Sequence, residues 1–453
     1  MLDVKGKKVL VVGFGISGQE AAKLLIDHGA EVKITDSGNN DSIKKKLSEF
    51  SEYNIEVEIG THSEQFIDGV DFAVVSPGVA IDSKIIVDCR MRGLSVISEL
   101  ELGFRFCKAP IIAITGTNGK STTTELIGTI LKTAGLKAIV CGNIGNPLSG
   151  EIQRIQSDSI VVAEVSSFQL ETIDKFKPHI AILLNVSDDH YDRHKDFETY
   201  KTEKLKIFQN QDEKDWAIIN TIFKKDAFIP EIKANLHYYG SDAAEVWIQD
   251  SEIRLNWEGE ESSLMKIEDM PFKGIHNIHN LQSAVLVSKI LKVSNEDIRN
   301  GIKTFSVLKH RFESVGIFDG IEFVDDSKAT NIDATCYALR SVDKKVILIA
   351  GGIDKGGDYG SISPLIKASV KNIVVIGQAK EILKKIFSHI VNVHEAKDMK
   401  EAVQKSVELA SSGEMVMLSP MCSSFDMFSG YKERGEVFQR EVFKRMKVRQ
   451  ERL

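Results

Sequence analysis

Short apolar runs recur along the whole chain, and each is followed by glycine or by polar residues. Runs of four or five apolar residues bounded by turn residues are typical of strands buried in a parallel sheet. The stretches between them have apolar positions three and four apart, which is typical of amphipathic helices. The pattern predicts an α/β protein with strands at residues 8–12, 31–35, 72–75, 111–114, 137–140, 159–163, 180–184, 321–324, 346–350, 373–376 and 415–418.

The spacing of these elements divides the chain into three regions. A chain of 453 residues has room for two to four domains. We expect domains at residues 1–108, 109–308 and 309–453. Within the second region, alternating residue types from 245 to 257 predict a β-hairpin.

The glycine loop, residues 115–122, is the most informative stretch. It has the sequence Thr-Gly-Thr-Asn-Gly-Lys-Ser-Thr and precedes a predicted helix that starts at Lys120. Glycines let backbone N–H groups converge on an anion, the helix N-terminus adds partial positive charge, and a lysine reaches the terminal phosphates of a nucleotide. The hydroxyl of Ser121 suits Mg²⁺. The usual phosphate-binding pattern would place glycine where Ile114 stands, and a plain turn between strand and helix is the alternative.

A second glycine-rich turn follows the first predicted strand. Residues 13–18 are Gly-Phe-Gly-Ile-Ser-Gly, and the next strand ends at Asp36. This fingerprint predicts a diphosphonucleotide, NAD or another, on a helix N-terminus, with the acid placed to meet a ribose or base. Ser-Pro-Gly at 76–78 marks another strand end where ligands of open parallel sheets bind. A purely structural glycine turn is the alternative.

Two strand ends in the second region carry acidic side chains and a histidine. Glu164 follows the strand predicted at 159–163, where a carboxylate beside a phosphate loop is a natural Mg²⁺ ligand. A helix N-cap or a salt bridge is the alternative for this residue. His190 follows Asp188 and Asp189, and this setting favours a site residue over a structural histidine.

A predicted helix at 197–209 places Lys204 on its apolar face, together with Phe197, Tyr200 and Phe208. The residues alone favour a lysine whose stem packs on that face and whose ammonium group reaches water. The alternative is a partly desolvated amine with a lowered pKa, able to take a covalent modification.

Asn277 and Asn280 open the next predicted helix and lie three residues apart, so both can face one ligand. Their amides suit the adenine or ribose side of a nucleotide. N-capping of the helix is an equally good explanation.

Three strand ends of the third region carry cations and hydroxyl groups. Lys328, Thr330, Lys355 and Ser424 all follow predicted strands of this region. Because the carboxyl ends of parallel strands meet at one edge of a sheet, these groups predict a site for a small acidic substrate. Ordinary solvated lysines are the alternative.

Composition narrows the function classes. Hydrophobic residues make up 42% and charged residues 27%, and the net charge is −7, so no basic surface argues for nucleic acid or for a membrane. The N-terminus resembles no signal peptide, and no apolar run approaches the roughly 18 residues of a membrane span. Five cysteines without a Cys-x-x-Cys motif are typical of reduced thiols in a cytosolic protein: Cys89, Cys107, Cys141, Cys336 and Cys422.

Several of these stretches together resemble the Mur ligase family, over essentially the whole chain. They are the glycine loop, Glu164 with Ser-Ser-Phe-Gln-Leu at 166–170, residues 185–190, His276-Asn277-x-x-Asn280, His310-Arg311 and Asp326-Ser-Lys-Ala-Thr-Asn at 326–331. Within the family, the last stretch and residues 419–435 resemble the member that adds D-glutamate. Other members and folylpolyglutamate synthase typically have Asp-Tyr-Ala-His where this chain has Asp-Ser-Lys-Ala.

The resemblance implies three domains, the first Rossmann-like and binding a UDP-sugar, the second a P-loop-type ATPase domain, and the third Rossmann-like. It implies ATP-driven addition of D-glutamate to UDP-N-acetylmuramoyl-L-alanine through an acyl phosphate, in peptidoglycan precursor synthesis. Another Mur-type or folylpolyglutamate-type ligase is the alternative. We further expect a cytoplasmic monomer whose third domain closes on nucleotide binding.

The resemblance also assigns roles to individual residues. Contacts to the UDP-substrate are expected at Ile16, Ser17, Asp36, Ser37, Gly78, Asn143 and Ser166. Contacts to ATP are expected at Gly116, Thr117, Asn118, Gly119, Lys120, Ser121, Thr122, Asn277, Asn280, Arg311 and Asp326. Contacts to D-glutamate are expected at Thr330, Lys355, Ser424, Phe425 and Tyr431. The expected catalytic residues are Lys120, Glu164, His190 and Lys204. Gly38 stands where the family often has a basic residue, which puts that contact to the UDP-sugar in doubt.

Two Mg²⁺ ions are implied as well. Ser121 and Glu164 would hold the first, and His190 with a carbamylated Lys204 the second. Carbamylation turns an ammonium group into a carboxylate-like oxygen ligand, which a hard metal accepts. The resemblance therefore reverses the preference for a solvated Lys204.

Two rival function classes explain less of the sequence. A dehydrogenase built on residues 13–18 leaves the Gly-Lys-Ser of the glycine loop unexplained. A non-catalytic nucleotide switch would not need Glu164, His190 and Lys204 together.

Overall fold

The apolar runs form the strands of three β-sheets in a computed structural model of the chain. The structure describes residues 2–189, 193–226, 229–241, 244–272, 274–306 and 308–450, except for the side chains of Ser42 and of residues 447–450. The sheets are mostly parallel and alternate with helices, which confirms the predicted α/β class.

The first sheet is parallel throughout its described strands. These are β1 (Lys8–Val12), β2 (Glu31–Asp36), β3 (Glu56–Ile59), β4 (Phe72–Val75) and β5 (Ser95–Ser98). Its helices are α1 (Ile16–Asp27), α2 (Asp41–Ser48), α3 (Lys84–Met91) and α4 (Glu99–Phe106). The strand order β3-β2-β1-β4-β5 changes direction at β1, so the glycine turn after β1 lies at the switch point where open α/β sheets bind ligands.

The second sheet has the order β14-β13-β12-β11-β10-β9-β6-β8-β7. Its strands are β6 (Ile111–Thr115), β7 (Lys137–Gly142), β8 (Ser159–Glu164), β9 (Ile180–Leu183), β10 (Trp216–Asn220), β11 (Asn235–Gly240), β12 (Val246–Gln249), β13 (Glu252–Trp257) and β14 (Glu260–Lys266). The helices of this part of the chain are α5 (Lys120–Thr133), α6 (Leu148–Glu151), α7 (Ser167–Leu170), α8 (Phe197–Leu205), α9 (Ile275–Ile290) and α10 (Asn295–Thr304). The pairs from β7 to β12 are parallel, and antiparallel pairing of β12 with β13 confirms the predicted hairpin.

The third sheet has the order β15-β16-β20-β17-β18-β19, and only the β15–β16 pair is antiparallel among its described strands. The strands are β15 (Glu313–Phe318), β16 (Ile321–Asp325), β17 (Val346–Gly351), β18 (Val370–Ile376), β19 (Asn392–Glu395) and β20 (Met415–Leu418). The helices are α11 (Ile332–Arg340), α12 (Ser363–Ser369), α13 (Lys380–Phe387), α14 (Met399–Leu409) and α15 (Tyr431–Gln450). Short 3₁₀ turns along the chain span Glu64–Ile67, Ile152–Arg154, Lys206–Phe208, Thr221–Phe223, Ile267–Asp269 and Tyr359–Ile362.

The predicted strands are all confirmed, with ends that differ by at most three residues. Strands that the pattern did not predict include β3, β5, β10, β11, β14, β15 and β19. β3 has the sequence Glu-Val-Glu-Ile and is half-exposed at a sheet edge, so it lacks the apolar run of a buried strand. The helix predicted at 197–209 ends at Leu205 and continues as a 3₁₀ turn.

Two compact units make up the chain. The first comprises Met1–Val186, Glu198–Met270 and His279–Phe305, and contains the first and second sheets. The second comprises Ser187–Phe197, Pro271–Ile278 and Ser306–Leu453, and contains the third sheet. The predicted domain boundaries after residues 108 and 308 stay a prediction. In the described part of the chain, no helix is both long enough and apolar enough to span a membrane.

A buried glutamate on α4 fixes a loop that precedes β9. The carboxylate of Glu101 is fully buried and accepts hydrogen bonds from the backbone N–H groups of Asp174 (3.0 Å), Lys175 (3.0 Å) and Phe176 (2.8 Å). Nε of Arg105 also donates to it at 2.6 Å. These charge-assisted hydrogen bonds offset the cost of burying the carboxylate.

Glu101→Gln should destabilise the first unit by about 3 kcal/mol, because the amide places an NH₂ group against backbone donors and removes the charge that pairs with Arg105. Calorimetric thermal unfolding measures the loss. The matched control is Glu52→Gln, at an exposed position, which should unfold at the wild-type temperature. Equal unfolding temperatures for Glu101→Gln and the wild type would contradict the assigned role.

Candidate functional site

The glycine loop connects β6 to α5 through two glycines with positive φ angles. Gly116 has φ 154°, and Gly119, the N-cap of α5, has φ 87°. A Cβ atom on Gly119 would lie 2.3 Å from Oδ1 of Asn280, and one on Gly116 would lie 3.0 Å from Cβ of Leu184. Both positions therefore need glycine. The same contact places Asn280 of α9 directly against the loop.

Lys120 is the first residue of α5 and folds back over the loop. Its Nζ donates to the carbonyl oxygens of Gly116 at 2.7 Å and Thr117 at 2.9 Å. Ser121, the next residue, is buried. A helix N-terminus with an ammonium group held beside it suits a phosphate group better than a plain turn does.

Glu164 ends β8 next to the loop strand, since it pairs with Ile114 of β6. Its carboxylate is 3% exposed, and Nδ2 of Asn143 donates to Oε1 at 2.8 Å. The N-cap explanation for Glu164 is wrong, because Ser166 caps the following helix in a capping box with Gln169. A buried carboxylate and the buried hydroxyl of Ser121 are the hard oxygen donors that Mg²⁺ prefers, so these residues fit that ion.

Lys204 is buried at the end of its helix, with 1% of its surface exposed. Its Nζ donates to the carbonyl oxygen of Gly116 at 2.9 Å and lies 4.5 Å from the centre of the Tyr200 ring. Tyr200 in turn hydrogen-bonds Oγ1 of Thr117 through its hydroxyl at 3.1 Å. The preference for a solvated ammonium group is therefore wrong. This face of the helix packs into the first unit and buries the ammonium group as well as the stem of Lys204. Carbamylation of Lys204 stays a prediction, and His190 lies outside the described residues.

The turn at residues 13–18 has the close packing that its glycines predict. A Cβ atom on Gly18 would lie 1.9 Å from the carbonyl oxygen of Gly13. Both carboxylate oxygens of Asp36 accept hydrogen bonds, from the backbone N–H of Phe14 at 2.6 Å and from that of Gly38 at 2.7 Å. This arrangement holds the acid at the carboxyl end of β2, beside the helix N-terminus.

Other residues assigned to the UDP-substrate differ in exposure. Ile16 is 63% exposed at the start of α1, which is an unusual exposure for an isoleucine. Ser37, Gly78 and Asn143 are also exposed, whereas Ser17 and the helix cap Ser166 are half-buried. At Gly38 a Cβ atom would lie 2.5 Å from Cδ1 of Ile43, so a basic side chain would need that isoleucine to move.

Both asparagines of α9 lie inside the helix, which begins at Ile275, so the N-capping explanation is wrong for each. Asn280 belongs to the first unit and Asn277 to the second. Their joint contact with one ligand stays a prediction.

In the second unit, Asp326 lies at the end of β16 and is 8% exposed. Its carboxylate accepts hydrogen bonds from the N–H of Phe312 at 3.1 Å and from the hydroxyl of Ser419 at 2.9 Å. Burial raises its pKa to about 7. Arg311 is half-buried in a turn between His310 and Phe312, which have φ angles of 63° and 50°.

The residues assigned to D-glutamate lie on loops at the carboxyl ends of β16, β17 and β20 and at the start of α15. Nζ of Lys355 lies 3.0 Å from Oδ1 of Asp189, and Nδ2 of Asn331 donates to Oδ2 of the same carboxylate at 2.9 Å. Ser424 is buried, Thr330 and Tyr431 are half-buried, and Phe425 is 71% exposed. Lys355 thus binds a carboxylate in this structure, the group it is predicted to bind on the substrate.

Three residues to which the sequence analysis assigned no role fix loops in place. Asn185 and Tyr200 bond the glycine loop, and Arg434 bonds loops of the third sheet. Arg434 of α15 is 1% exposed and donates to the carbonyl oxygens of Ser327 (2.8 Å), Cys422 (3.1 Å) and Gly351 (3.5 Å). Burial lowers the pKa of its guanidinium to about 10. In the sequence, an arginine in a charged helix gives no sign of burial.

His310, Glu313 and Asp325 are close enough to be considered as metal ligands. Protein donors satisfy them instead, since Gln439 Nε2 donates to both carboxylates at 3.0 and 2.8 Å, and His310 Nδ1 lies 2.7 Å from Asp325 Oδ2. The hydrogen bond to Asp325 raises the pKa of His310. We assign the cluster to holding the turn that carries Arg311.

Family profiles match three successive parts of the chain. They are a MurD-like Mur ligase N-terminal domain over residues 7–98, a Mur ligase middle domain over 114–288, and a Mur ligase glutamate ligase domain over 310–422. The chain belongs to the Mur ligase family. The resemblance of the motifs is thereby confirmed.

Curated relatives span nearly the full length of this Mur ligase. A UDP-N-acetylmuramoylalanine–D-glutamate ligase from Thermoanaerobacter sp. (strain X514) is 38% identical over 97% of this chain and 99% of its own. A ligase of the same name from Koribacter versatilis is 39% identical over 98% of both chains.

Solved Mur ligases share the fold. UDP-N-acetylmuramate–alanine ligase from Thermotoga maritima has a TM-score of 0.61 at 17% identity, covering 96% of this chain and 99% of its own. The MurF ligase of the same organism, solved with ADP, has a TM-score of 0.60 at 15% identity, covering 98% and 96%. The expected α/β fold of the Mur ligases is confirmed.

The raised pKa of Asp326 makes stability depend on pH. A carboxyl group whose pKa rises from 3.8 to about 7 on folding is protonated in the folded state while it is ionised in the unfolded chain. The contribution of Asp326 to the free energy of unfolding therefore falls as the pH rises from about 4 to about 7. The raised pKa of His310 acts in the same direction, because its contribution is lost as the pH rises through the folded-state pKa.

Asp326→Asn should therefore gain about 2–3 kcal/mol relative to the wild type between pH 5 and pH 8, because an amide does not ionise, its oxygen accepts from the N–H of Phe312, and its NH₂ donates to the hydroxyl of Ser419. Calorimetric unfolding at several pH values measures the difference. Asp343→Asn, at an exposed position, is the control and should show a constant difference. A pH-independent difference for Asp326→Asn would contradict the assignment.

Proposed function

We propose that this Mur ligase uses ATP to add D-glutamate to UDP-N-acetylmuramoyl-L-alanine, a step of bacterial peptidoglycan precursor synthesis. Full-length identity of 38–39% to ligases of that name carries the proposal. The glycine loop supports it, because its backbone and Lys120 form a site for nucleotide phosphates.

The reaction proceeds in two displacements. The alanyl carboxylate attacks the γ-phosphorus of ATP, and the bond between this phosphorus and the β,γ-bridging oxygen breaks. ADP is released, and the carboxylate has become an acyl phosphate. The amine of D-glutamate then attacks the acyl carbon, and the tetrahedral intermediate loses a proton and expels inorganic phosphate. Because no protein nucleophile is needed, positioning of the substrates and neutralisation of charge supply most of the catalysis.

The glycine loop supplies the positive charge for the first displacement. Lys120 would hold the transferring γ-phosphoryl group, with the N-terminus of α5 on the neighbouring phosphate oxygens. Ser121 and Glu164 would hold Mg²⁺, which when bound neutralises phosphate charge. The remaining assigned ATP contacts are Gly116, Thr117, Asn118, Gly119, Thr122, Asn277, Asn280, Arg311 and Asp326.

Lys204 is proposed to act as a carbamate. Its burial and its contact with the loop carbonyl place the amine beside the phosphate site, where a carbamate oxygen could serve a second Mg²⁺ together with His190. An unmodified ammonium group of Lys204 would instead compete with Mg²⁺ for the same phosphate oxygens.

The two other substrates are assigned to the remaining strand ends. The UDP-sugar would contact Ile16, Ser17, Asp36, Ser37, Gly78, Asn143 and Ser166. D-Glutamate would contact Thr330, Lys355, Ser424, Phe425 and Tyr431, with the cation of Lys355 on a substrate carboxylate. We also propose that the enzyme works in the cytoplasm as a monomer.

Phosphate release should require UDP-N-acetylmuramoyl-L-alanine and D-glutamate together, since the acyl phosphate forms on the first and is consumed by the second. A colorimetric phosphate assay measures it, with L-lysine, glycine and omission of either substrate as controls. Equal release with L-lysine or glycine would favour another Mur-type or folylpolyglutamate-type ligase. Binding of NAD(H) without phosphate release would favour a dehydrogenase.

Lys204→Ala should lose activity by about 100-fold or more, because the carbamate oxygen for the metal is missing. Short carboxylates such as acetate should restore part of it by occupying the vacated space. The matched control is Lys206→Ala, two residues along the chain and half-exposed, which should keep wild-type activity and show no response to acetate. Unchanged activity of Lys204→Ala would contradict the proposal that Lys204 acts as a carbamate.

A further inference from the structure

Asn185 follows β9 and pairs its side-chain amide with the backbone of the glycine loop. Its Oδ1 accepts a hydrogen bond from the N–H of Asn118 at 2.8 Å, and its Nδ2 donates to the carbonyl oxygen of Asn118 at 3.0 Å. The backbone N–H can only donate and the carbonyl can only accept, so the orientation of the amide is fixed by its partners.

The backbone of the same segment completes the attachment. The N–H of Thr117 donates to the carbonyl oxygen of Asn185 at 3.0 Å, and the N–H of Leu184 donates to Thr115 at 3.0 Å. A Cβ atom on Gly116 would lie 3.2 Å from the carbonyl oxygen of Asn185. The first half of the loop therefore rests on residues 184–185 through hydrogen bonds and close packing.

These contacts decide which amides can hold phosphate. The N–H groups of Thr117 and Asn118 both donate to Asn185, so these two amides are turned away from a phosphate, whereas the amides from Gly119 onward lie at the N-terminus of α5. Nζ of Lys120 also lies over the loop, because it donates to the carbonyl oxygens of Gly116 and Thr117. The shape of the loop, and not only its glycines, selects the anion-binding amides.

We propose that Asn185 is a positioning residue that holds the glycine loop in the conformation that binds the phosphates of ATP. The inference rests on the proposed function, in which this loop is the ATP site. The two polar atoms of the Asn185 amide both bond Asn118, so the residue acts through the loop. Loss of the amide lets residues 117–118 rotate, and the helix amides and Lys120 then lose their common target.

The experiment compares Asn185→Ala and Asn185→Asp with the wild type. Alanine removes both side-chain hydrogen bonds, whereas aspartate keeps an acceptor for the N–H of Asn118 and loses the donor to its carbonyl oxygen. The matched control is Asn235→Ala, at the start of β11, where Nδ2 donates to two other backbone carbonyls, of Glu213 and Asp215.

ADP affinity by calorimetric titration and the KM values of all three substrates are the readouts. For both Asn185 variants we expect ADP to bind about 10- to 100-fold more weakly and the KM for ATP to rise similarly. The KM values for D-glutamate and the UDP-sugar should stay within about twofold of the wild type. Asn235→Ala should match the wild type in every binding measurement.

Several outcomes would overturn the inference. Wild-type ADP affinity in both Asn185 variants would show that the loop keeps its shape without the amide. Equal increases in all three KM values, or lowered stability with unchanged KM for ATP, would make Asn185 structural only. If Asn185→Ala does not fold, Asn185→Asp decides by the same criteria. Failure of the wild type itself to bind ADP or ATP would instead remove the proposed function.

Discussion

The carbonyl oxygen of Gly116 accepts hydrogen bonds from two lysines, Lys120 and Lys204, and the packing of the glycine loop against α5 and α8 depends on this convergence. Two ammonium groups at one carbonyl oxygen, beside the partial positive charge of a helix N-terminus, concentrate positive charge in a chain of net negative charge. Such a concentration of cations is costly unless an anion is bound or one amine loses its charge, as the carbamylation proposed for Lys204 would cause. Tyr200 and Asn280 contact the same loop at Thr117 and at Gly119.

Much of this arrangement follows from local sequence. A buried strand, two glycines and Lys-Ser at a helix start specify a phosphate-binding turn because each requirement is local: positive φ angles, an exposed helix end and one cation. The polar strand ends were predictable for a similar reason, since parallel strands direct their carboxyl ends to one edge. Glu164 beside Ile114 and Asp36 beside the first glycine turn are both consequences of strand register.

Other features depend on contacts that no local pattern contains. An apolar stripe places the stem of Lys204 correctly, but whether its head reaches water depends on what packs above the helix, here the glycine loop. Asn280 touches that loop from α9, a helix in a distant part of the chain. Edge strands such as β3 lack a buried face and so lack the apolar run that identifies a strand. These features result from packing between distant parts of the chain, so neither composition nor periodicity predicts them.

Arg434 lets the loops that are proposed to bind D-glutamate change in sequence while their backbone stays in place. Its guanidinium holds three loops mainly through backbone carbonyl oxygens, which every residue type provides. Side chains on those loops can change while the frame that carries them keeps its shape. Lysine could not take over, because a single ammonium group cannot span the planar fork of donors that reaches all three carbonyls. Substitutions on the loops can therefore reshape the proposed D-glutamate site without rebuilding the backbone beneath it.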